Sequence, residues 1–295
     1  MEILVIDRES LTNQLLTSKL GAKGHHVVCE PNKNAAFDMV KGGTFDVIMV
    51  DPAPLAEARP VVIGVWKNIR TAVKPYIMLL SKTATTEEAI LAGTNDVMNK
   101  PLSSQDLETK ILNAQRLMEF SRMLAKEDNV HSSGGMIGKA AFNQLFLSAI
   151  DRSFRYAERS LIVFVTMTNH EEVLQAVGQE GYEETVKKLT EKMTFMRRQS
   201  DVIGRLGQKD FAILLQRPQY ASEPIDAINR FSEVLDKFYQ TFDNKAAAPR
   251  LKLTLFELPM GAQHRERIVP LSEQRAADDA AEAEAEARAA EKSSS

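Results

Sequence analysis

Val202-Ile203-Gly204-Arg205-Leu206-Gly207-Gln208-Lys209-Asp210-Phe211-Ala212-Ile213-Leu214-Leu215 sets two apolar, β-prone runs, Val202–Ile203 and Phe211–Leu215, around a polar turn that begins at Gly207. The pattern predicts a β-hairpin that holds a polar tip away from a core. Just upstream stand Arg198 and, three residues on, Asp201. One is a forked donor and the other a pure acceptor. The stretch reads as a binding tip beside a charged edge.

The hairpin resembles the signature of diguanylate cyclase (GGDEF) domains, changed here to Gly207-Gln208-Lys209-Asp210-Phe211. Arg198 and Asp201 stand in the register of that family's inhibitory site for cyclic di-GMP. Gly135–Phe142 stands where the family carries its opening motif. A helix from about 140 to 158 follows, buried through Phe142, Leu145, Phe146, Ala149, Ile150 and Phe154, and then a central strand at Leu161–Val165. A helix from about Glu183 to Arg198 leads into the hairpin, Pro224–Phe238 forms another, and Leu251–Leu258 resembles the next strand.

The resemblance also implies losses. Thr166 and Thr168 stand where active cyclases carry a metal-binding aspartate, and Leu174 where an asparagine reads guanine. Lys209 occupies the second metal-ligand position, where an ammonium repels the Mg²⁺ that bridges a triphosphate. The expectation is therefore a protein without cyclase activity and without a metal, not an enzyme. The Arg198–Asp201 pair survives. Guanine shows O6 and N7 acceptors that an arginine fork matches, worth about 1–3 kcal/mol, and its opposite edge offers N–H donors to a carboxylate. Arg197 could serve the dinucleotide's phosphates. The family often adds a second arginine from the next helix, and Arg230 is the candidate, although ungapped counting puts Asn229 at that position. Taken alone, Arg-x-x-Asp at a helix end commonly means a surface salt bridge; its register with the hairpin singles it out.

In the first half, Glu2–Asp7, His26–Cys29, Phe45–Val50, Tyr76–Leu80 and Val97–Met98 are apolar runs alternating with helical segments. That argues for a parallel sheet covered on both faces, with function at the C-terminal strand ends. Asp7, Asp51 and Lys100 fall there. The constellation resembles the receiver domain of response regulators over roughly residues 1–120. The likeness puts Asp51 at the phosphoacceptor position and implies a cis proline at Pro101. Arg8 replaces the family's second acid, which costs a Mg²⁺ site a ligand. That guanidinium could pair with Asp51 as a bound cation would. Leu80 stands at the switch Ser/Thr position with Ser81 adjoining, and Val97 replaces the switch aromatic. The expectation is a pseudo-receiver used as a docking surface, with phosphorylation at Asp51 as the alternative.

From Ser104 a helical pattern (Leu107, Ile111, Leu117, Phe120, Leu124) runs to about Lys126, longer than a receiver needs. It reads as a coiled-coil link between two copies of the chain, with a strut packed on the second domain as the alternative. The expected domains are 1–126 receiver-like, 127–135 linker, 136–268 GGDEF-like and 269–295 an acidic, solvated Ala/Glu-rich tail, disordered with some helix content.

Composition agrees with a two-domain globular chain. The 295 residues are 44% hydrophobic and 26% charged with a net charge of −3, so no basic field advertises nucleic acid or membrane. A single cysteine, Cys29, excludes an internal disulfide. No run approaches a membrane span and no signal peptide is read, so the cytoplasm is expected. His25, His26, His131, His170 and His264 lack metal spacing.

The fold class expected is α/β plus α+β: an N-terminal doubly wound parallel (βα)5 receiver-like domain and a C-terminal cyclase-like mixed sheet with surrounding helices. The function expected is a non-catalytic receptor that binds cyclic di-GMP, needs no cofactor and relays its state to protein partners as a homodimer. By analogy with the family, the process is bacterial motility, polarity or cell-cycle control. The alternatives are a nucleotide-independent scaffold and a weak cyclase.

Overall fold

Apolar runs without alternation build the first sheet. β1 (Glu2–Ile6), β2 (His26–Cys29), β3 (Val47–Val50), β4 (Tyr76–Ser81) and β5 (Asp96–Asn99) lie in the order β2-β1-β3-β4-β5. Every neighbouring pair is parallel. Ile3–Ile6, Val47–Val50 and Tyr76–Leu80 are buried throughout, as a sheet covered on both faces requires. Helices α1 (Ser10–Gly21), α2 (Lys33–Gly42), α3 (Ala58–Asn68), α4 (Thr86–Ala92) and α5 (Ser104–Ala125) connect and flank the strands. Their starts carry local signals: Asn32 accepts from the backbone of Asn34 and Ala35, and Thr85 forms a capping box with Glu88. This strand order is the doubly wound one whose switch point lies between β1 and β3. The expected receiver-like architecture is borne out.

The computed structural model describes residues 1–126, 136–218, 220, 222–276 and 278. The second sheet has the order β11-β10-β7-β9-β8-β6. Its strands are β6 (Ile137–Gly138), β7 (Ser160–Met167), β8 (Val202–Arg205), β9 (Asp210–Gln216), β10 (Leu251–Leu258) and β11 (Gly261–Val269), accompanied by α6 (Lys139–Tyr156), α7 (His170–Met196) and α8 (Glu223–Gln240). β8 runs antiparallel to β9 and parallel to β6, so the sheet is mixed, as expected. Among the described residues no helix is long and apolar enough to cross a membrane.

Two elements depart from the sequence reading. α7 begins at His170, well before Glu183, because the chain stays helical on both sides of Gly178, whose φ of 69° and ψ of 178° break the helix locally. β11 runs from Gly261 to Val269 where the sequence reading names no strand, whereas the helix at 271–276 is the helix content expected at the start of the tail. The linker assigned to 127–135 and the rest of the tail from 279 onward lie outside the described residues.

The described residues divide into two units that do not follow the chain in one cut. One takes 1–126, 143–161 and 256–264; the other takes 136–142, 162–255 and 265–278. Within the first unit the fate of α5 is settled against the coiled coil. Leu107, Ile111, Ala114, Leu117, Met118, Phe120 and Leu124 are all buried. Phe120 stacks on Phe256 at 4.9 Å between centroids and meets Phe146 edge-on at 5.6 Å. The helix covers its stripe within its own chain.

In the second unit, Gly204 of β8 lies against Phe142 of α6; a Cβ there would fall 2.6 Å from the ring. Gly204→Ala is expected to cost about 1–3 kcal/mol through overpacking, measured as a lowered urea midpoint.

Candidate functional site

In the first unit, Asp7 follows β1, Asp51 follows β3 and Lys100 follows β5, so three strand ends deliver them to one crevice. The Lys100 ammonium donates to Asp7 Oδ2 at 2.6 Å, Asp51 Oδ2 at 2.5 Å and Glu9 Oε2 at 3.0 Å. The lysine and Asp7 side chains are 6% and 2% exposed, that of Asp51 17%. Each aspartate has a second anchor: Asp7 Oδ1 accepts the Glu9 N–H and Asp51 Oδ1 the Ala53 N–H. Burial alone would push the Lys100 ammonium down; the bonds to Asp51, Asp7 and Glu9 outweigh it and raise it well above the ordinary lysine value. Glu9 is lowered, chiefly by its bond to Lys100. The pairing proposed between Arg8 and Asp51 is absent: Arg8 is exposed and the cation on Asp51 is Lys100. The Lys100–Pro101 bond is cis. Ser81 ends β4, and its hydroxyl accepts from the N–H groups of Thr83 and Ala84.

In the second unit, the hairpin forms as read, with Arg205 opposite Phe211. The N–H groups of Leu206 and Gly207 both donate to Asp210 O, at 2.8 and 3.2 Å, closing the turn over Gln208 and Lys209. Three residues outside the signature hold this tip. Arg205 is 8% exposed. It forks onto both oxygens of Glu183 at 3.1 and 3.2 Å and also donates to Gly207 O. Tyr182 OH donates to Gln208 O at 3.1 Å. Sequence reasoning missed all three, although a charged residue inside an apolar strand run was a signal for Arg205.

Asp210 Oδ1 accepts from Thr166 Oγ1 at 3.0 Å. Burial pushes the Asp210 carboxyl up, opposed by that bond and by the charges of Lys209, His170 and Lys139. One carboxylate beside the ammonium charges of Lys209 and Lys139 does not fit a metal pair, which needs several oxygen ligands. Among the described residues no three His, Cys, Asp or Glu gather as a metal-holding group. Phe211 is fully buried and anchors the far side of the turn.

The Arg-x-x-Asp edge sits between α7 and β8. Asp201 Oδ2 accepts the Arg198 N–H at 2.9 Å, Arg197 Nη1 donates to Asp201 O at 2.9 Å, and Asp201 is 2% exposed. The Arg198 guanidinium is half exposed and pairs with Glu223 of α8 at 2.6 Å. Arg230 makes no bond to this edge; it lies over the Phe231 ring. It does share a helical face with Glu223, about two turns along α8. Asn229, at the family's register position, accepts two N–H groups of Arg267 at 3.2 and 3.1 Å. The structure thus brings Arg197, Arg198 and Asp201 together and leaves Arg230 on α8, about two turns beyond Glu223.

A family model described as diguanylate cyclase, GGDEF domain, matches residues 132–288. Comparison with curated proteins gives no match. Among solved structures, the chain is similar to a two-component response regulator from Clostridium difficile (20% identity, 40% of this chain and 98% of that one, TM-score 0.34). It is also similar to the GGDEF domain of TpbB or YfiN from Pseudomonas aeruginosa (20%, 44% and 76%, TM-score 0.36). A third is a sensory box/GGDEF family protein from Caulobacter crescentus CB15 (15%, 44% and 85%, TM-score 0.37). The family match places the protein in cyclic di-GMP signalling. It also corrects one expectation: a chain read as no enzyme matches a family of diguanylate cyclases.

Proposed function

Since this chain belongs to the diguanylate cyclase GGDEF-domain family, we propose that it binds cyclic di-GMP on the edge formed by Arg198 and Asp201 and relays that state to protein partners. The observation that supports this most is the half-exposed Arg198 guanidinium, set beside the hairpin and held by a carboxylate that a guanine could replace. In this reading the guanine's O6 and N7 take over the arginine fork from Glu223, and Asp201, fixed by two neighbouring donors, accepts from the opposite edge. Arg230, on the Glu223 face of α8, meets a phosphate. The signalling complex is a homodimer in the cytoplasm.

Calorimetry with cyclic di-GMP tests the reading. Saturable binding is expected, reduced at least tenfold by Arg198→Ala, about the discrimination one bidentate guanine contact carries. Glu223→Gln, which weakens the competing ion pair, is expected to tighten it. No heat above dilution with the unsubstituted chain would sink the idea. A second reading, a scaffold that takes no nucleotide, is favoured by the burial of Asp201 and the existing Arg198–Glu223 pair; the same titration separates the two. Product analysis after incubation with GTP and Mg²⁺ measures the cyclase chemistry that the family assigns to the Gly207–Phe211 turn.

A further inference from the structure

A cavity of about 570 Å³ lies wholly within the first unit, between α3, α5, α6 and the ends of β4 and α4. Its volume is that of a small-molecule pocket, and neither the crevice at Asp51 nor the hairpin shares a residue with it. The walls are apolar. Trp66 and Phe154 stand 5.7 Å apart between centroids, and Phe146, Leu117 and Ile150 line the space with them. The polar atoms of the wall aromatics are already occupied: Trp66 Nε1 donates to Gly93 O and Tyr76 OH to Met260 O, both at 2.8 Å. They turn only ring surface toward the space.

The mouth has a different chemistry. Arg155 is paired with Asp151 at 2.9 Å, but Arg59 and Lys74 donate only to backbone carbonyls, Leu91 O and Thr71 O. These two cations have no carboxylate partner among the described residues. Asn143 also lines the cavity, and its amide has no partner among the described residues. An apolar chamber with uncompensated positive charge at its edge suits an amphipathic anion: the body removes ring surface from water, and the head gains charge-assisted hydrogen bonds. We propose that this cavity binds a small apolar carboxylic acid, its alkyl or ring body against Trp66, Phe146 and Phe154 and its carboxylate at Arg59 and Lys74.

Trp66 is the chain's single tryptophan, so its emission reports on this site alone. Titration of the full chain with decanoate, below its micellar concentration, is expected to give a saturable one-site change; decanol serves as the uncharged comparison. Combined Arg59→Ala and Lys74→Ala, both at exposed positions, is expected to weaken decanoate at least about tenfold, since both charge-assisted contacts are lost, and to leave decanol unchanged. Ser121→Phe, which fills the chamber from α5, is expected to abolish both, with an unchanged circular dichroism spectrum. A non-saturating response of the unsubstituted chain overturns the site. Equal losses for acid and alcohol in the double variant overturn the anionic class.

Discussion

Lys100→Met is expected to lower stability by about 3–5 kcal/mol at neutral pH, the usual consequence of removing one partner from a buried charge cluster. The methionine keeps the length of the stem but leaves Asp7 and Asp51 facing each other without a cation. Urea denaturation at pH 7 measures the loss. The pH dependence has a definite sign. The folded ammonium is raised above its ordinary value of 10.5, so its contribution is complete below that value and is lost as pH climbs through the folded one. The gap between natural and variant chains therefore holds up to about pH 10 and narrows progressively as pH rises past 10.5. A gap under 1 kcal/mol at pH 7 would mean that water already screens the crevice.

Phe120→Ala is expected to cost a similar amount, about 3–5 kcal/mol for a buried phenylalanine. Phe120 is 4% exposed and sits between Phe146 and Phe256, so truncation leaves a hole walled by two rings. Because both rings belong to the same chain, the loss should not depend on protein concentration. A midpoint difference between the natural and variant chains that changes with dilution would restore the interchain reading of α5.

What the sequence disclosed follows from which signals are local. The parallel sheet and the hairpin were legible because an unbroken apolar run and a glycine-led turn are written in consecutive residues. Lys100, Asp7 and Asp51 could be placed together because strand ends in a doubly wound sheet share one edge. The partners of each group were not legible. Glu183 on α7 and Arg205 on β8 find each other across 22 positions, and nothing near either residue announces the other. The sequence offered Arg8 as a further cation for Asp51, whereas the fold leaves Arg8 exposed and sets Lys100 on Asp51. α5 was misread for the same reason: an apolar stripe declares that it will be covered, not by what. Its cover, Phe146 and Phe256, lies in stretches whose own patterns assign them to the other half of the chain.

That cover limits how the protein can be divided. A fragment ending at Lys126 would keep all five strands of the first sheet yet uncover Phe120, since Phe146 of α6 and Phe256 of β10 would be gone, and Leu117 beside the lost Gly261. The receiver-like half is thus no detachable cassette: its last helix is finished by residues translated long after it, and grafting it onto another output domain would carry along an unsealed seam.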